Sequence, residues 1–485
     1  MKITKYLFLF ILPTLLLALT ITVGAQQKNN YQTDFTSEEF AERRARVFDA
    51  IGPALAVVQG ARDVSGFEVF RQTNSFYYLT GLETPRAYLV LDGRNRTSAV
   101  YLPHRDEARE QNEGVTLSVE DAELIKSLTG IDRVLGIESL ADAFFGGALR
   151  PPAPAIYTPL GPAETGADSR DELLRGRARV ASDPWDGQAS RESHFKELLQ
   201  QRAPQYEIRD LSPILDSMRL VKSAKEIDLI REATRIAGLA IIEAMRSTKP
   251  GVYEYQLDAA AKYIFFLNGA RGEGYPSIIG GGQNAFMGHY FRKTDKLVNG
   301  DLLLMDYAPD YRYYTSDVTR MWPVNGKYTE GQRQLCSFIL AYRDALFRHV
   351  RPGVTSDQVL DAAAKDMEKY LEGKTFVKPE YEKAIRAGLK FRGHFQHSVG
   401  MSVHDVGAVR GVELKPGMIF TIDPMIWIPE ERLYVRMEDM ALVTKDGVEN
   451  LSAFVPSDLG EIERTIAEEG IVQFRPETPK QARPK

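Results

Sequence analysis

No disulfide can form within this chain, because its 485 residues include a single cysteine, Cys336. In Gln334-Leu335-Cys336-Ser337-Phe338 that thiol reads as a small apolar group buried on a helix. Stability must then come from core size, and a chain this long exceeds what one core organises, which predicts two domains. A basic excess is also missing. The formal charge is -5 with a pI near 6.0, and no dense Lys/Arg stripe occurs, so a phosphate backbone is excluded as partner. There is no tandem repeat and no low-complexity tract. With 44% hydrophobic and 26% charged residues, the composition is that of a folded globular protein.

At the N-terminus, Lys2 and Lys5 precede an apolar run from Tyr6 to Val23, broken by Pro13, and then Val23-Gly24-Ala25 before Gln26-Gln27-Lys28. This reads as a secretory signal peptide over residues 1–25, and the protein is expected to be exported, periplasmic or extracellular, with no stable membrane insertion after cleavage. The competing reading is an uncleaved anchor, since the run approaches the roughly 20 residues that span a bilayer. Pro13 and the small-residue exit favour cleavage after Ala25. The segment contains no cysteine to carry a lipid.

From about Phe35 to Asp210 the sequence alternates helical stretches with short strands, which is α/β material. Ala87 to Leu91 and Ser98 to Leu102 form a strand pair across the turn Asp92-Gly93-Arg94-Asn95. The run Pro151 to Pro154 and the polar stretch from Gly161 to Gly176 are expected as surface loops. A linker is expected over 212–222, dividing an N-terminal domain (26–211) from a C-terminal one (223–473). There Ser223-Ala224-Lys225-Glu226 has the form of a capping box and opens a helix through Met245, ended at Lys249-Pro250-Gly251. Further helices are expected over Tyr255 to Asn268, Glu330 to Val350 and Ser356 to Leu371, with strands and hairpins from Leu302 onward. The tail 474–485 is expected to be disordered.

Chemistry concentrates in the second half. The buried-strand run Leu302-Leu303-Leu304-Met305 ends in Asp306, and Asp317 opens the next strand. A hairpin centred between Tyr311 and Arg312 would set the two acids opposite, with Cβ atoms roughly 4.5 to 5.5 Å apart. That suits carboxylates sharing two metal ions about 3.5 to 4 Å apart. The construction recurs: Met418 to Ile422 leads to Asp423, Leu433 to Met437 leads to Glu438, and Pro429-Glu430-Glu431-Arg432 makes the turn. An acid at the end of an apolar strand is costly unless a cation or donor meets it. Of seven histidines, His394, His397 and His404 fall together. Imidazole in an oxygen-rich site suits manganese, cobalt, iron or zinc better than calcium or magnesium. Any one of these residues has a bland explanation as a turn cap, a surface charge or a satisfied histidine. Two matched hairpins and a histidine segment together point to a metal pair.

At these residues the chain resembles the aminopeptidase P and prolidase family, which pairs a creatinase-like N-terminal domain with a pita-bread catalytic domain. The resemblance covers nearly all of the mature chain. It is carried by Phe70 through Gly81, Met218 through Glu226, the Asp306/Asp317 spacing, His397 with Gly400, Val403-His404-Asp405-Val406-Gly407, Lys415-Pro416-Gly417-Met418 and Arg436-Met437-Glu438-Asp439. It implies an α/β N-terminal domain followed by an α+β pita-bread domain. It further implies two divalent ions, with manganese the first choice, held by Asp306, Asp317, His397, Asp423 and Glu438. Asp317 and Glu438 would bridge both ions, Asp306 would complete one, and His397 with Asp423 the other. A water between the ions would be the nucleophile. His404 would touch the scissile carbonyl or its developing oxyanion. His289 would lie beside the substrate, and Arg436 would orient Asp306.

The substrates implied are peptides with proline in second position, cut by an Xaa-Pro aminopeptidase. An Xaa-Pro dipeptidase and a non-catalytic pita-bread binding module are the alternatives, and homo-oligomerisation is left open. Two positions depart from the family: Asp423 stands where glutamate is usual, and Gly393 where a histidine is usual. His394, one place later, is a candidate to substitute for that histidine in recognising the substrate.

Overall fold

The computed structural model describes residues 31–64, 67–145, 155–166 and 168–474. The expected signal segment, the 151–154 proline run and the tail beyond Phe474 lie outside these residues.

A six-stranded mixed sheet centres the first half, in the order Arg133–Gly136, Thr97–Leu102, Tyr88–Asp92, Leu55–Gln59, Ala155–Thr158, Glu207–Asp210. The expected hairpin is its spine, with Tyr88 opposite Tyr101 and Asp92 opposite Thr97. Alternation explains the pairing, since Leu89, Leu91, Val100 and Leu102 are all fully buried. The outer pairs are parallel, and helices such as Ala122–Thr129 and Arg191–Arg202 make the crossovers.

Three segments of this half differ from expectation. Phe70 through Gly81, which its own residues suggest as strand and turn, contains the helix Asn74–Thr80, every residue of it buried. The stretch Gly161 to Gly176, expected as loop, runs into the helix Arg170–Ser182. Ser169 sits at its N-cap position, and Asp171 and Glu172 in the first turn suit the helix dipole. The expected 212–222 linker is mostly the helix Ser212–Leu220, which buries Leu215, Met218 and Arg219. Its apolar face lies in the core, so the segment packs between the halves and does not loop over the surface.

In the second half, the helix Ala224–Ser247 opens with the expected capping box on Ser223 and packs on Glu254–Leu267. Glu330–His349 packs on Ser356–Leu371, and Cys336 is buried on the former. Burial pushes the Cys336 thiol up to about 12, which makes it unreactive. The helices Pro379–Gly388 and Leu459–Ala467 were not anticipated, although proline near the start of the former is a legible signal.

Between the helices, among the described residues, lie two larger sheets and two two-stranded ones, the latter pairing Gly272–Glu273 with Pro309–Asp310 and Met425–Ile428 with Leu433–Arg436. Of the larger two, one orders Thr319–Pro323, Leu302–Asp306 and Ile278–Gly281; the other orders Phe395–Ser398, Ile419–Ile422, Asp439–Val443 and Val448–Asn450. A bridge between Thr319 and Glu438 joins them. The α/β first half and α+β second half are as the sequence predicts.

Candidate metal centre

The first acid hairpin differs in register from the sequence expectation. Asp306 lies opposite Thr319, not Asp317, because the turn falls one residue later, at Arg312 and Tyr313 with φ of 52° and 73°. Moving a turn by one residue moves the partner by two, and a two-residue shift preserves the face. Asp317 therefore still shares a site with Asp306: the Tyr275 hydroxyl donates to Asp306 Oδ1 at 2.6 Å and to Asp317 Oδ1 at 2.9 Å. In the second hairpin the register is the expected one. Met425 pairs with Arg436 and Ile428 with Leu433, and the same symmetry places Asp423 across from Glu438.

Arg436 is the hub of the acids. Its Nε donates to Asp423 Oδ1 at 3.0 Å, its Nη1 to Asp306 Oδ2 at 3.1 Å, and its Nη2 to Glu438 Oε2. The sequence reading had it orienting Asp306 alone. Burial opposes its charge, but Asp423 and Glu438 outweigh that and hold the guanidinium protonated above its ordinary range. Thr319 Oγ1 donates to the same Glu438 oxygen at 2.9 Å.

His397 enters from the Phe395–Ser398 strand, its Nε2 3.5 Å from Asp317 Oδ2. One ligand atom each from Asp317, His397 and Glu438 lie within 4.8 Å of one another. The motif glycines permit this approach. A Cβ at Gly400 would lie 2.2 Å from Asp405 Oδ2, and Gly407, with φ of 93°, lies against Leu220.

This donor set fits divalent cations. Burial first, then the neighbouring acids, push the carboxyls of Asp317 and Asp423 well above the usual range, and Glu438 is raised for the same reasons. Burial, and secondarily His404, hold His397 well below its usual value and thus neutral, the form that binds metal. Glu438 Oε1 is buried with no hydrogen-bond partner among the described residues. Carboxylates in excess of their one guanidinium, a neutral imidazole and an orphaned oxygen describe a site whose charge a cation balances.

A cavity of about 480 Å³ opens on these groups, and His289, His404, Met425 and Tyr434 also line it. His289 and His404 have ring centroids 6.3 Å apart, and His404 lies 4.0 Å from His397. The expectation that His394 substitutes for the missing histidine fails. Its Nε2 bonds Gly388 O at 2.7 Å and its Nδ1 accepts from Met425 N at 3.1 Å, so both nitrogens are committed to backbone. Burial lowers His394 to about 4, and its carbonyl accepts from Asp423 N at 2.9 Å, so it pins the break between the strands Ile419–Ile422 and Met425–Ile428 that carries Asp423. At Gly393 the ring of Phe391 occupies the place a side chain would take.

Sequence reasoning missed Tyr275 and Thr319. Thr319 was legible, two residues past Asp317 on the same face of a strand. Tyr275, in a glycine-rich loop, gave no signal.

Comparison with known proteins places these features among relatives. The model of metallopeptidase family M24 matches residues 228–445, and that of the aminopeptidase P N-terminal domain matches residues 40–152. An Xaa-Pro aminopeptidase of Escherichia coli is 30% identical over 456 residues, 89% of this chain and 98% of that one. Two solved structures of Escherichia coli aminopeptidase P, one with the inhibitor Pro-Leu and one zinc-substituted with product, are each 27% identical. Each covers 90% of this chain and 99% of its own, with a TM-score of 0.71.

Proposed function

The chain belongs to the aminopeptidase P family of M24 metallopeptidases, and from that premise we propose that it is an Xaa-Pro aminopeptidase, releasing the residue before a proline at the N-terminus of peptides. As a member of that family it is a metal-dependent peptidase. The observation that carries the reading is the convergence of Asp306, Asp317, His397, Asp423 and Glu438 on one cavity, with Arg436 tying three of the acids together.

These five residues would hold two divalent ions, with manganese the first choice and cobalt, zinc or iron the alternatives. Bound there, the ions would activate water at neutral pH and polarise the scissile carbonyl. The remaining tasks fall to the chain. Tyr275 and Arg436 fix the carboxylates, so no reorganisation accompanies reaction. His404 reaches into the cavity where charge develops on the carbonyl oxygen, and His289 flanks the peptide. The relative solved with Pro-Leu supports a proline-containing ligand in this cavity.

The assay is cleavage of an Xaa-Pro dipeptide and an Xaa-Pro tripeptide by purified protein loaded with manganese or cobalt. Release of the first residue from the tripeptide is expected. Cleavage of the dipeptide alone would make it an Xaa-Pro dipeptidase, and cleavage of neither would leave a binding module. Replacing Asp317 or Glu438 by alanine should abolish activity. Export is part of the proposal and rests on the residue pattern of positions 1–25; N-terminal sequencing of the mature protein should begin at Gln26.

A further inference from the structure

The segment that carries His404 is held by residues of the first half, from a stretch that neither family model covers. Residues 153–227 lie between the two matched regions. Within them, Ser402 Oγ donates to Asp168 O at 3.1 Å, and His404 N donates to Ser169 Oγ at 3.1 Å. Two residues on, in the first turn of the helix Arg170–Ser182, the Asp171 carboxylate lies beside the imidazole, its two oxygens 3.3 and 3.1 Å from His404 Nδ1. From elsewhere in the first half, buried Asn74 adds bonds from Nδ2 to Met401 O at 3.1 Å and Ser402 Oγ at 2.9 Å. Four residues of the first half, Asn74, Asp168, Ser169 and Asp171, thus hold residues 401–404.

An ionised carboxylate can only accept hydrogen bonds, so the proton between Asp171 and His404 sits on Nδ1. With Nδ1 committed, Nε2 is the nitrogen left for the cavity that His404 lines. The alternative use of this corner is a further cation site, since ligand atoms of Asp171, Glu172 and His404 lie within 4.8 Å of one another. Arg175 already serves as their cation: its Nη2 donates to Asp171 Oδ2 at 2.8 Å and also to Glu172 Oε1. The corner thus has one guanidinium for two carboxylates, against one for four around Arg436, and both of its acids already hold a cation.

We propose that Asp171 is a positioning residue for His404, setting its tautomer and ring orientation from the N-terminal half of the chain. The proposal rests on the role assigned to His404 above, and it makes the Arg170–Ser182 helix part of the active site without direct contact with the reacting atoms. The helix has no buried residue of its own. Its place is secured by polar contacts, among them the bonds from Arg170 Nη1 to Asp216 at 2.6 and 2.7 Å.

The test uses the full-length, manganese-loaded protein with an Xaa-Pro tripeptide. Asp171→Ala is expected to lower kcat by about 10- to 100-fold, the usual cost of removing such a partner, with little change in KM. Metal content and melting temperature should match the parent, and Asp171→Glu should recover part of the loss. Imidazole 15N shifts of His404 should report a proton on Nδ1 in the parent and a mixture of tautomers in Asp171→Ala. An unchanged kcat, or a loss that follows metal content or melting temperature, would overturn the positioning role. Two controls separate this from the reading beneath it. If His404→Ala keeps full activity, the role of His404 is what fails, and Asp171 has nothing to position. If the parent cleaves no Xaa-Pro peptide, the proposed activity fails instead.

Discussion

Tyr275 shows how much one uncharged side chain can decide. Its hydroxyl donates to a carboxylate oxygen of Asp306 and to one of Asp317, while burial and those acids push its own ionisation far up, so it remains a donor throughout the accessible pH range. Replacing it by phenylalanine keeps the ring and its edge-on packing against Tyr307 and removes only the shared donor. Tyr275→Phe should fold normally and lose about 10- to 100-fold in metal affinity or activity. Metal content after dialysis, read beside kcat/KM, checks this, and parental values for both would show that the two acids hold their places unaided. None of the ligand-type residues depended on such context to be noticed. Acids at the ends of apolar strands and a histidine beside a close-packed glycine are visible in sequence because burial of charge needs a reason. A tyrosine in a loop needs none, and so Tyr275 was silent until its neighbours were placed.

At the scale of elements, the two hairpins bring like charges together and so store repulsion when no cation is present. Asp317, Asp423 and Glu438 all have native carboxyls raised by burial and by the neighbouring acids. A carboxyl whose native value lies above its unfolded value binds more protons folded than unfolded, so its ionisation destabilises the fold. The metal-free protein should therefore lose stability from these groups as pH rises from about 4, the unfolded value, through the raised native ones. Manganese should restore more at pH 8 than at pH 5, and Asp317→Asn should stabilise the metal-free protein at pH 8 by about 1 kcal/mol or more. Thermal melts of both proteins with and without manganese test this; a manganese effect that shrinks with rising pH would contradict it. The element that misled is also informative. The Asp306 hairpin is displaced by one residue at its turn, since Arg312 and Tyr313 take the positive φ values a tight turn demands, and nothing in those residue types announces that. The pairing was therefore wrong while the face was right.

Across the whole molecule, the halves meet through buried charge. Arg219, on the helix expected as a linker, bonds Asp405 Oδ1 through Nη2 and lies with Nη1 3.5 Å from Glu164 Oε2, all with side chains about 1% exposed. Lys222 Nζ joins them, 2.7 Å from Ser398 Oγ and 3.8 Å from Asp405 Oδ2. These contacts bracket the 398–405 segment that runs from His397 to His404. Arg219→Met would leave two acids buried with a diminished share of cation and should cost roughly 3–5 kcal/mol, read as a drop in denaturation midpoint. A change below about 1 kcal/mol would mean the network relaxes toward water.

What the amino-acid order determined alone was whatever depends on local pattern. Capping boxes opened helices, alternating apolar runs formed strands, and acids and imidazoles at strand ends marked the chemistry, because neighbouring residues report periodicity and the cost of burying charge. Tertiary structure alone decided which distant groups answer them: Arg436 reaching three acids, His394 spending both nitrogens on backbone, and Asp171 meeting His404 from the opposite half of the chain. Those pairings join residues 2 to 233 positions apart. Hydrogen bonds at 3 Å depend on how whole elements pack, and no local pattern encodes that distance.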